Sequence, residues 1–146
     1  MSIESRLVCT FEIDGLKFGI FTDSVQEVLR PPPISPVPWS KECVAGLMNL
    51  RGQLVTVLDL RKRLNAGSRE KNTSIDGMNI ILRGIDESVS LIVDRVGDVF
   101  EVDFSKMELP LEKMNSVPKE ILEGIYKLEE GLLLILNVEQ IFTMEF

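Results

Sequence analysis

Residues 78–146 repeat the pattern of residues 1–68, and this internal repeat restricts the fold more than any other feature of the chain. Asp23-Ser24-Val25-Gln26-Glu27-Val28-Leu29 aligns with Asp94-Arg95-Val96-Gly97-Asp98-Val99-Phe100. Just before these, Phe18, Ile20 and Phe21 match Val89, Leu91 and Ile92. Gly46-Leu47-Met48-Asn49-Leu50 matches Gly124-Ile125-Tyr126-Lys127-Leu128 in the same register. Val57-Leu58-Asp59-Leu60 continues against Ile135-Leu136-Asn137-Val138, and Leu64 against Phe142. Each half reads as hairpin, short turn or helix, variable loop, hairpin, short helix. That is the size of a small five-stranded barrel, an architecture that limits exposed sheet edges. Neither half is long enough to bury a large core alone, so the two must share a sizeable interface. The expectation is one domain over 1–146, all-β with a few short helices, made of two packed barrels. The repeats lie at about 1–68 and 78–146, joined by a polar linker at about 65–77.

Local patterning supports the hairpins. Leu7, Cys9, Phe11 and Ile13 alternate with Val8, Thr10 and Glu12, Asp14-Gly15 intervenes, and Leu16, Phe18 and Ile20 alternate with Lys17 and Gly19. Period-two apolarity around Asp-Gly is a strong hairpin signal, because glycine accepts the positive φ that a tight turn needs. Arg51-Gly52 joins the apolar runs 46–50 and 54–58 in the same way, which puts Arg51 at a rigid, exposed tip. Ser24 followed by Glu27 has capping-box form, and the spacing of Val25, Val28 and Leu29 predicts a short helix ending near Arg30, before Pro31. Glu27 would then face outward. Five of the seven prolines fall within 31–38. The Pro33-Ile34-Ser35-Pro36 pattern reads as a stiff connection rather than an SH3-domain ligand, and Trp39 as a packing residue beside it. At the second tip, Glu129-Glu130-Gly131 stands where the first has Arg51-Gly52-Gln53. The inverted charge fits either different partners or drift at a solvated turn.

Several chemistries are missing from the sequence. There is no histidine, which removes Ser-His-Asp and Cys-His arrangements and imidazole general bases. Cys9 and Cys43 are far apart and suit buried free thiols. Neither a phosphate-cradling glycine loop nor a calcium-binding loop is present. Asp86-Glu87 and Glu129-Glu130 read as solvated charge rather than as acid/base pairs. A net charge of -7 repels phosphate backbones and anionic lipid, and 6% aromatic content gives little stacking platform for single strands. No nucleic acid, no membrane insertion, no cofactor and no metal are expected, and the N-terminal residues lack the features of a secretion signal. A cytoplasmic, non-enzymatic binding module is the reading that remains.

The motifs V-Q-E-V (25–28), G-L-M-N-L-R-G (46–52), V-L-D-L-R (57–61) and L-I-V-D-R-V (91–96) resemble the signature of the CheW-like family of bacterial chemotaxis coupling domains. So do G-I-Y-K-L (124–128) and the closing L-I-L-N-V-E-Q-I-F (134–142). The resemblance runs from about Leu7 to Phe142 and implies two SH3-like five-stranded barrels. It implies a non-enzymatic adaptor that couples the cytoplasmic tips of chemoreceptors to the regulatory domain of a CheA-type histidine kinase. Such an adaptor would be recruited to membrane receptor arrays and could assemble into rings with homologous domains. With no kinase domain beside it, the chain looks like the standalone adaptor. Carried over residue by residue, Glu27 and Arg51 lead the functional surface, with Gly46 serving backbone geometry nearby. Val25 and Val93 are apolar candidates for receptor contact, and Ile121 and Leu122 for kinase contact; Asp59 reads as a helix N-cap. The alternatives are a paralogous adaptor of a motility or developmental pathway, and a small-barrel module for peptide or oligonucleotide. The segment 38–45 and the stiff 31–33 run depart from the family pattern near the implied receptor groove.

Overall fold

Asp14-Gly15 and Arg51-Gly52 both turn hairpins, with φ of 56° and 82° in the first and 51° and 89° in the second. Positive φ at both central residues is the type I′ geometry, whose twist matches that of the flanking strands. They were resolved in a computed structural model that describes residues 5–30, 32–38, 43–62, 77–84, 87–110, 113–114 and 117–143. The expected linker, apart from Gly77, falls outside the described residues, as does Trp39.

Twelve strands are present among the described residues: β1 (Ser5–Ile13), β2 (Leu16–Phe21), β3 (Val25–Leu29), β4 (Val44–Leu50), β5 (Gln53–Leu58), β6 (Met78–Arg83), β7 (Ser88–Val93), β8 (Arg95–Asp103), β9 (Lys113–Met114), β10 (Val117–Pro118), β11 (Leu122–Leu128) and β12 (Gly131–Leu136). One α-helix, α1 (Val138–Thr143), and four single 3-10 turns complete the described elements. Two five-stranded sheets hold ten of the strands, in the orders β3-β6-β7-β5-β4 and β8-β1-β2-β12-β11. Under the repeat, β1 to β5 correspond to β6, β7, β8, β11 and β12, so the second order is the first with the halves exchanged. Hairpin β6–β7 is inserted between β3 and β5, and hairpin β1–β2 between β8 and β12. The repeat therefore divides the sequence at the linker, while each sheet takes strands from both sides of it.

Each sheet closes on itself through the segment that follows its outer strand. Ser35, downstream of β3, exchanges backbone hydrogen bonds with Leu47 of β4 at 2.8 and 2.9 Å. Glu108, downstream of β8, does the same with Ile125 of β11 at 2.9 and 2.8 Å. Both closures sit beside a register shift, at Val44/Gly46 and at Leu122/Gly124. The result is two barrels, as expected, but the first (β3 to β7) and the second (β1, β2, β8, β11, β12) each combine strands of both sequence halves instead of one half apiece.

The largest buried cluster lies between the barrels. Phe11, Phe18 and Ile20 from the second barrel meet Ile80, Leu82 and Leu91 from the first, with Phe11 and Phe18 stacked at a centroid separation of 5.9 Å. Each such side chain contributes about 1.5–3 kcal/mol on burial, so this shared layer dominates the stabilisation. Smaller clusters fill the barrel interiors: Met48, Leu50, Val55, Val57 and Ile81 in the first, and Val8, Phe21, Tyr126, Leu133 and Ile135 among others in the second. Alternation decides which layer a residue joins: Ile80 and Leu82 face the other barrel, while Ile81 between them faces inward.

A local expectation fails as well. The helix expected over 24–30 is a 3-10 turn, Thr22–Ser24, followed by strand β3. Ser24 makes no capping-box start, for no side chain caps that turn. Helix over so short a stretch before Pro31 would be costly to nucleate. As a strand the same residues pair with β6, in the register Val28 to Ile80 and Leu29 to Asn79. The equivalent stretch in the second half, read as turn or helix, is the nine-residue strand β8. The terminal short helix is present as α1.

Two predictions follow from the closures and the interiors. A Cβ at Gly46 would drive into the Ser35 backbone, 2.8 Å from its carbonyl carbon, at a φ of +151°. At Gly124 the first obstacle is the flexible Met107 side chain. Gly46→Ala should therefore lower stability by about 1–3 kcal/mol, and Gly124→Ala by less, in denaturant titrations of the two variants. Tyr126, the single tyrosine, has a buried hydroxyl with no hydrogen-bond partner. Burial pushes its phenol above the usual tyrosine range, and nearby Asp103 pushes the same way. The folded state thus favours the neutral phenol. The stability this adds is complete below the unfolded value of about 10 and is lost as pH rises through the folded one. Phenolate absorbance should titrate at higher pH in the native chain than in urea; coincident curves would contradict the buried hydroxyl.

Candidate interaction surface

Glu27 and Arg51 come from distant parts of the sequence and meet at one seam. Around the closed first barrel, β3 and β4 are neighbours, and among the described residues the Ser35–Leu47 pair is the one backbone bridge across their seam. Of residues 32–38, Pro32, Pro33, Pro36 and Pro38 have no N–H to donate, so the ladder cannot extend far on either side of Ser35. An ion pair between Arg51 Nη2 and Glu27 Oε2 adds a side-chain link over the same seam. Gly46 stands on it too, where its missing side chain lets the 32–38 segment approach β4.

Arg51 is held in a conformation that suits it poorly. Its φ of 51° belongs to the left-handed region, which glycine and asparagine enter readily and which costs other residues roughly 1–2 kcal/mol. The turn persists because the β4–β5 ladder flanks it and because Asn49 Oδ1 accepts the Gly52 N–H at 2.8 Å. Its side chain is 66% exposed, against 29% for Glu27. An arginine with five donors and one carboxylate partner leaves much of its fork available to solvent or a ligand. Leu54, 71% exposed, stands three residues beyond it on β5 and gives the tip an apolar neighbour.

The remaining candidates fall elsewhere. Val25 is half-buried at the start of β3, packed against the shared core, and its carbonyl accepts from Arg83 at 3.4 Å. Val93, at the end of β7, is fully buried in that core. Ile121 and Leu122 are buried there as well, at the start of β11. Glu27 and Arg51 are thus brought into contact, with Gly46 farther along the same seam, while Val93, Ile121 and Leu122 are buried in the shared core and offer no exposed side chain for a partner.

Charge at the second tip is also paired. Glu130 Oε2 lies 3.4 Å from Lys17 Nζ of β2. Its own backbone N–H and then Lys17 hold the carboxyl below the usual glutamate range, the opposite of what a general acid requires. Among the described residues no group of three or more acidic or thiol side chains is placed to hold a metal ion. No helix among them is long and apolar enough to cross a membrane.

Sequence reading missed several contacts. Asp59 does cap, its Oδ1 accepting the Arg61 N–H at 3.1 Å at the 3-10 turn Leu60–Lys62. It also grips the Arg61 guanidinium, which reaches on to Asp94. Arg6 lies 4.0 Å above the Phe21 ring and 5.4 Å from that of Phe104. A cleft of about 600 Å³ opens in the second barrel, lined by Phe100, Met107, Tyr126 and Leu128 with Asp103 and Lys106. Partners separated by tens of residues leave no local pattern to find; the D-L-R of 59–61 was the one visible clue.

The chain as a whole is similar to known proteins. The CheW-like domain profile matches residues 7–146. The chain is 30% identical over 135 residues to the chemotaxis protein CheW of Thermotoga maritima, covering 92% of this chain and 85% of that one. It is 24% identical over 142 residues to the CheW of Treponema pallidum, covering 96% and 84%. Its fold is similar to the crystal structure of the scaffolding protein TtCheW from Thermoanaerobacter tengcongensis, with a TM-score of 0.83, 28% identity and coverage of 94% and 87%. With the repeat, the paired barrels and the motifs around Glu27 and Arg51 all in the same order along the chain, this protein belongs to the CheW-like family.

Proposed function

We propose that this chain, a chemotaxis scaffold of the CheW-like family, binds chemoreceptor tips and the regulatory domain of a CheA-type histidine kinase together. It would act by presentation, without catalysis, fixing the spacing and orientation of the two so that a conformational change in the receptor biases the kinase. Recruitment to receptor arrays, and rings formed with homologous domains, follow from the same reading. Two unlike tips on homologous barrels suit head-to-tail contacts that close.

The observation that carries the proposal is Arg51. A turn that glycine or asparagine would make more stable keeps an arginine, and the arginine is aimed at Glu27 across the seam. Local strain retained at an exposed, charge-paired position points to use of the side chain rather than to folding. Glu27 orients the guanidinium, and the exposed remainder of the fork meets a polar or acidic partner. Val25, Leu54 and the surrounding strand surface supply the apolar part of the contact.

The turn geometry provides a test that separates folding from binding. Arg51→Asn should leave stability unchanged or raise it by up to about 1 kcal/mol, because asparagine accepts the positive φ. The same variant should lose about tenfold or more in affinity, the scale of a lost charged contact, in co-sedimentation with receptor-containing membranes and the kinase. Glu27→Ala should lose affinity as well. A double-mutant cycle on the pair should give a stability coupling below about 1 kcal/mol, as for other exposed ion pairs. Full binding by both variants would remove these residues from the surface, and failure of the wild-type chain to join either partner would refute the coupling role.

A further inference from the structure

The chain passes between the barrels at two points that the repeat makes equivalent. At Thr22–Ser24 it leaves β2 of the second barrel for β3 of the first, and at Asp94 it leaves β7 of the first for β8 of the second. Asp23 and Asp94 occupy the same place in the repeat. Their surroundings differ.

Asp94 is tied on every side. Its Oδ2 accepts the Asp14 N–H at 2.7 Å, and its own N–H donates to Glu12 O at 2.9 Å. Its Oδ1 lies 3.5 Å from Arg61 Nη1. Arg61 in turn grips both oxygens of Asp59, through Nε at 3.0 Å and Nη2 at 3.1 Å. Asp59 and Arg61 follow β5 of the first barrel, at and within the 3-10 turn Leu60–Lys62, while Glu12 and Asp14 belong to the β1–β2 hairpin of the second. One half-buried network therefore joins both barrels and the crossover between them. The hydrogen bonds that Arg61 donates to Asp59 lead the causes that raise Arg61 above the usual arginine range, so its charge is secure.

Among the described residues no comparable network holds the other crossover. Asp23 has an ion pair with Arg6 at 3.5 Å, with side chains 77% and 39% exposed, and Arg6 belongs to β1 of the second barrel. The equivalents of Asp59 and Arg61 are Asn137 and Glu139. Asn137 caps α1 by accepting the Gln140 N–H at 3.2 Å, and Glu139 is exposed. With Glu139 in place of arginine, the second copy of the network has no cation at its centre.

We propose that Asp59, Arg61 and Asp94 form a one-sided clamp that fixes the β7–β8 crossover, leaving Thr22–Ser24 as the hinge about which the barrels adjust their relative angle. The hinge runs directly into β3, so a change of angle moves Glu27 and its seam relative to the second barrel. Bidentate geometry suits the clamp, since an arginine fork fixes orientation as well as distance.

Amide hydrogen exchange of the isolated full chain, followed residue by residue by NMR, tests this without any partner. Arg61→Gln and Asp94→Ala should each speed exchange of the Asp14 amide by about tenfold or more, while Ile81, within the β6–β7 ladder, changes by less than about twofold. Arg6→Gln, at the hinge, should leave the Asp14 amide within about twofold of wild type. Arg61→Lys keeps the charge without the fork, and should give an intermediate acceleration; it stands in if either stronger variant fails to fold. Unchanged exchange at Asp14 in the Arg61 variants would overturn the clamp. So would equal acceleration at Asp14 and Ile81, which would mean a general stabilising role. Because no receptor or kinase is present, the result stands apart from the coupling reading.

Discussion

Each barrel is completed by a hairpin that belongs, in sequence, to the other half, and the rest of the structure depends on that exchange. Hairpin β1–β2 lies between β8 and β12, and β6–β7 between β3 and β5. Pulling the halves apart would break two antiparallel seams, β1–β8 and β3–β6, and two parallel ones, β2–β12 and β5–β7. It would leave unpaired edges on every fragment, with their N–H and C=O groups open to water or to another chain. It would also expose the layer of Phe11, Phe18, Leu82 and Leu91 between the barrels. Neither half is an independent folding unit under these constraints, although each repeats the plan of the other. The exchange also creates the two crossovers, and hence gives the barrels their only covalent means of moving together or apart among the described residues.

Closure of the barrels links this architecture to the proposed interaction surface. A five-stranded sheet this short leaves its outer strands, β3 and β4 or β8 and β11, facing each other, and the chain bridges each gap with a single residue. Ser35 and Glu108 both exchange two backbone hydrogen bonds with the strand opposite, and a glycine stands at each site of approach. A seam with so little backbone pairing yields more easily than the middle of a sheet. Side chains placed over it can therefore respond to a ligand at little cost to the core. Glu27 and Arg51 occupy that position in the first barrel. The exposed Glu108–Lys127 pair, at 3.7 Å, lies over the seam of the second.

The sequence disclosed what is local and periodic. Asp14-Gly15 and Arg51-Gly52 specified their turns, because positive φ at two successive residues admits few sequences. The repeat specified two like barrels, because the same alternation of apolar residues recurs in register. Misreading of residues 24–30 has a physical cause: Val25, Val28 and Leu29 satisfy helical spacing over one turn, and only the ladder offered by β6 decides for strand. The hairpin exchange was invisible, since β1 pairs equally well in pattern with strands of either half. Burial of Val93, Ile121 and Leu122 was hidden for a related reason. Apolar residues near a strand end look alike whether they face solvent or a second barrel, and here the second barrel covers them. Arg61 and Asp94, thirty-three positions apart, were connected only by the fold.

The two hairpin tips show how a repeated plan can acquire different surfaces without a change in core. Both tips carry charge, and both are neutralised within their own barrel: Arg51 by Glu27, and Glu130 by Lys17. Partners on neighbouring strands hold each tip in one orientation, yet exposed pairs of this kind contribute no more than about 1 kcal/mol. Under the proposed role, an incoming carboxylate would therefore meet a guanidinium that Glu27 already orients, through the donors that this one partner leaves free. An incoming cation would likewise meet the Glu130 carboxylate that Lys17 orients, and the opposite signs prevent one partner from fitting both tips. The strain at Arg51 separates the two cases further. At the second tip the positive φ belongs to Gly131, at 143°, so neither glutamate is held in a left-handed conformation. Only the first tip keeps a charged residue where the backbone favours a smaller one, and that difference makes it the one whose side chain the fold itself does not require.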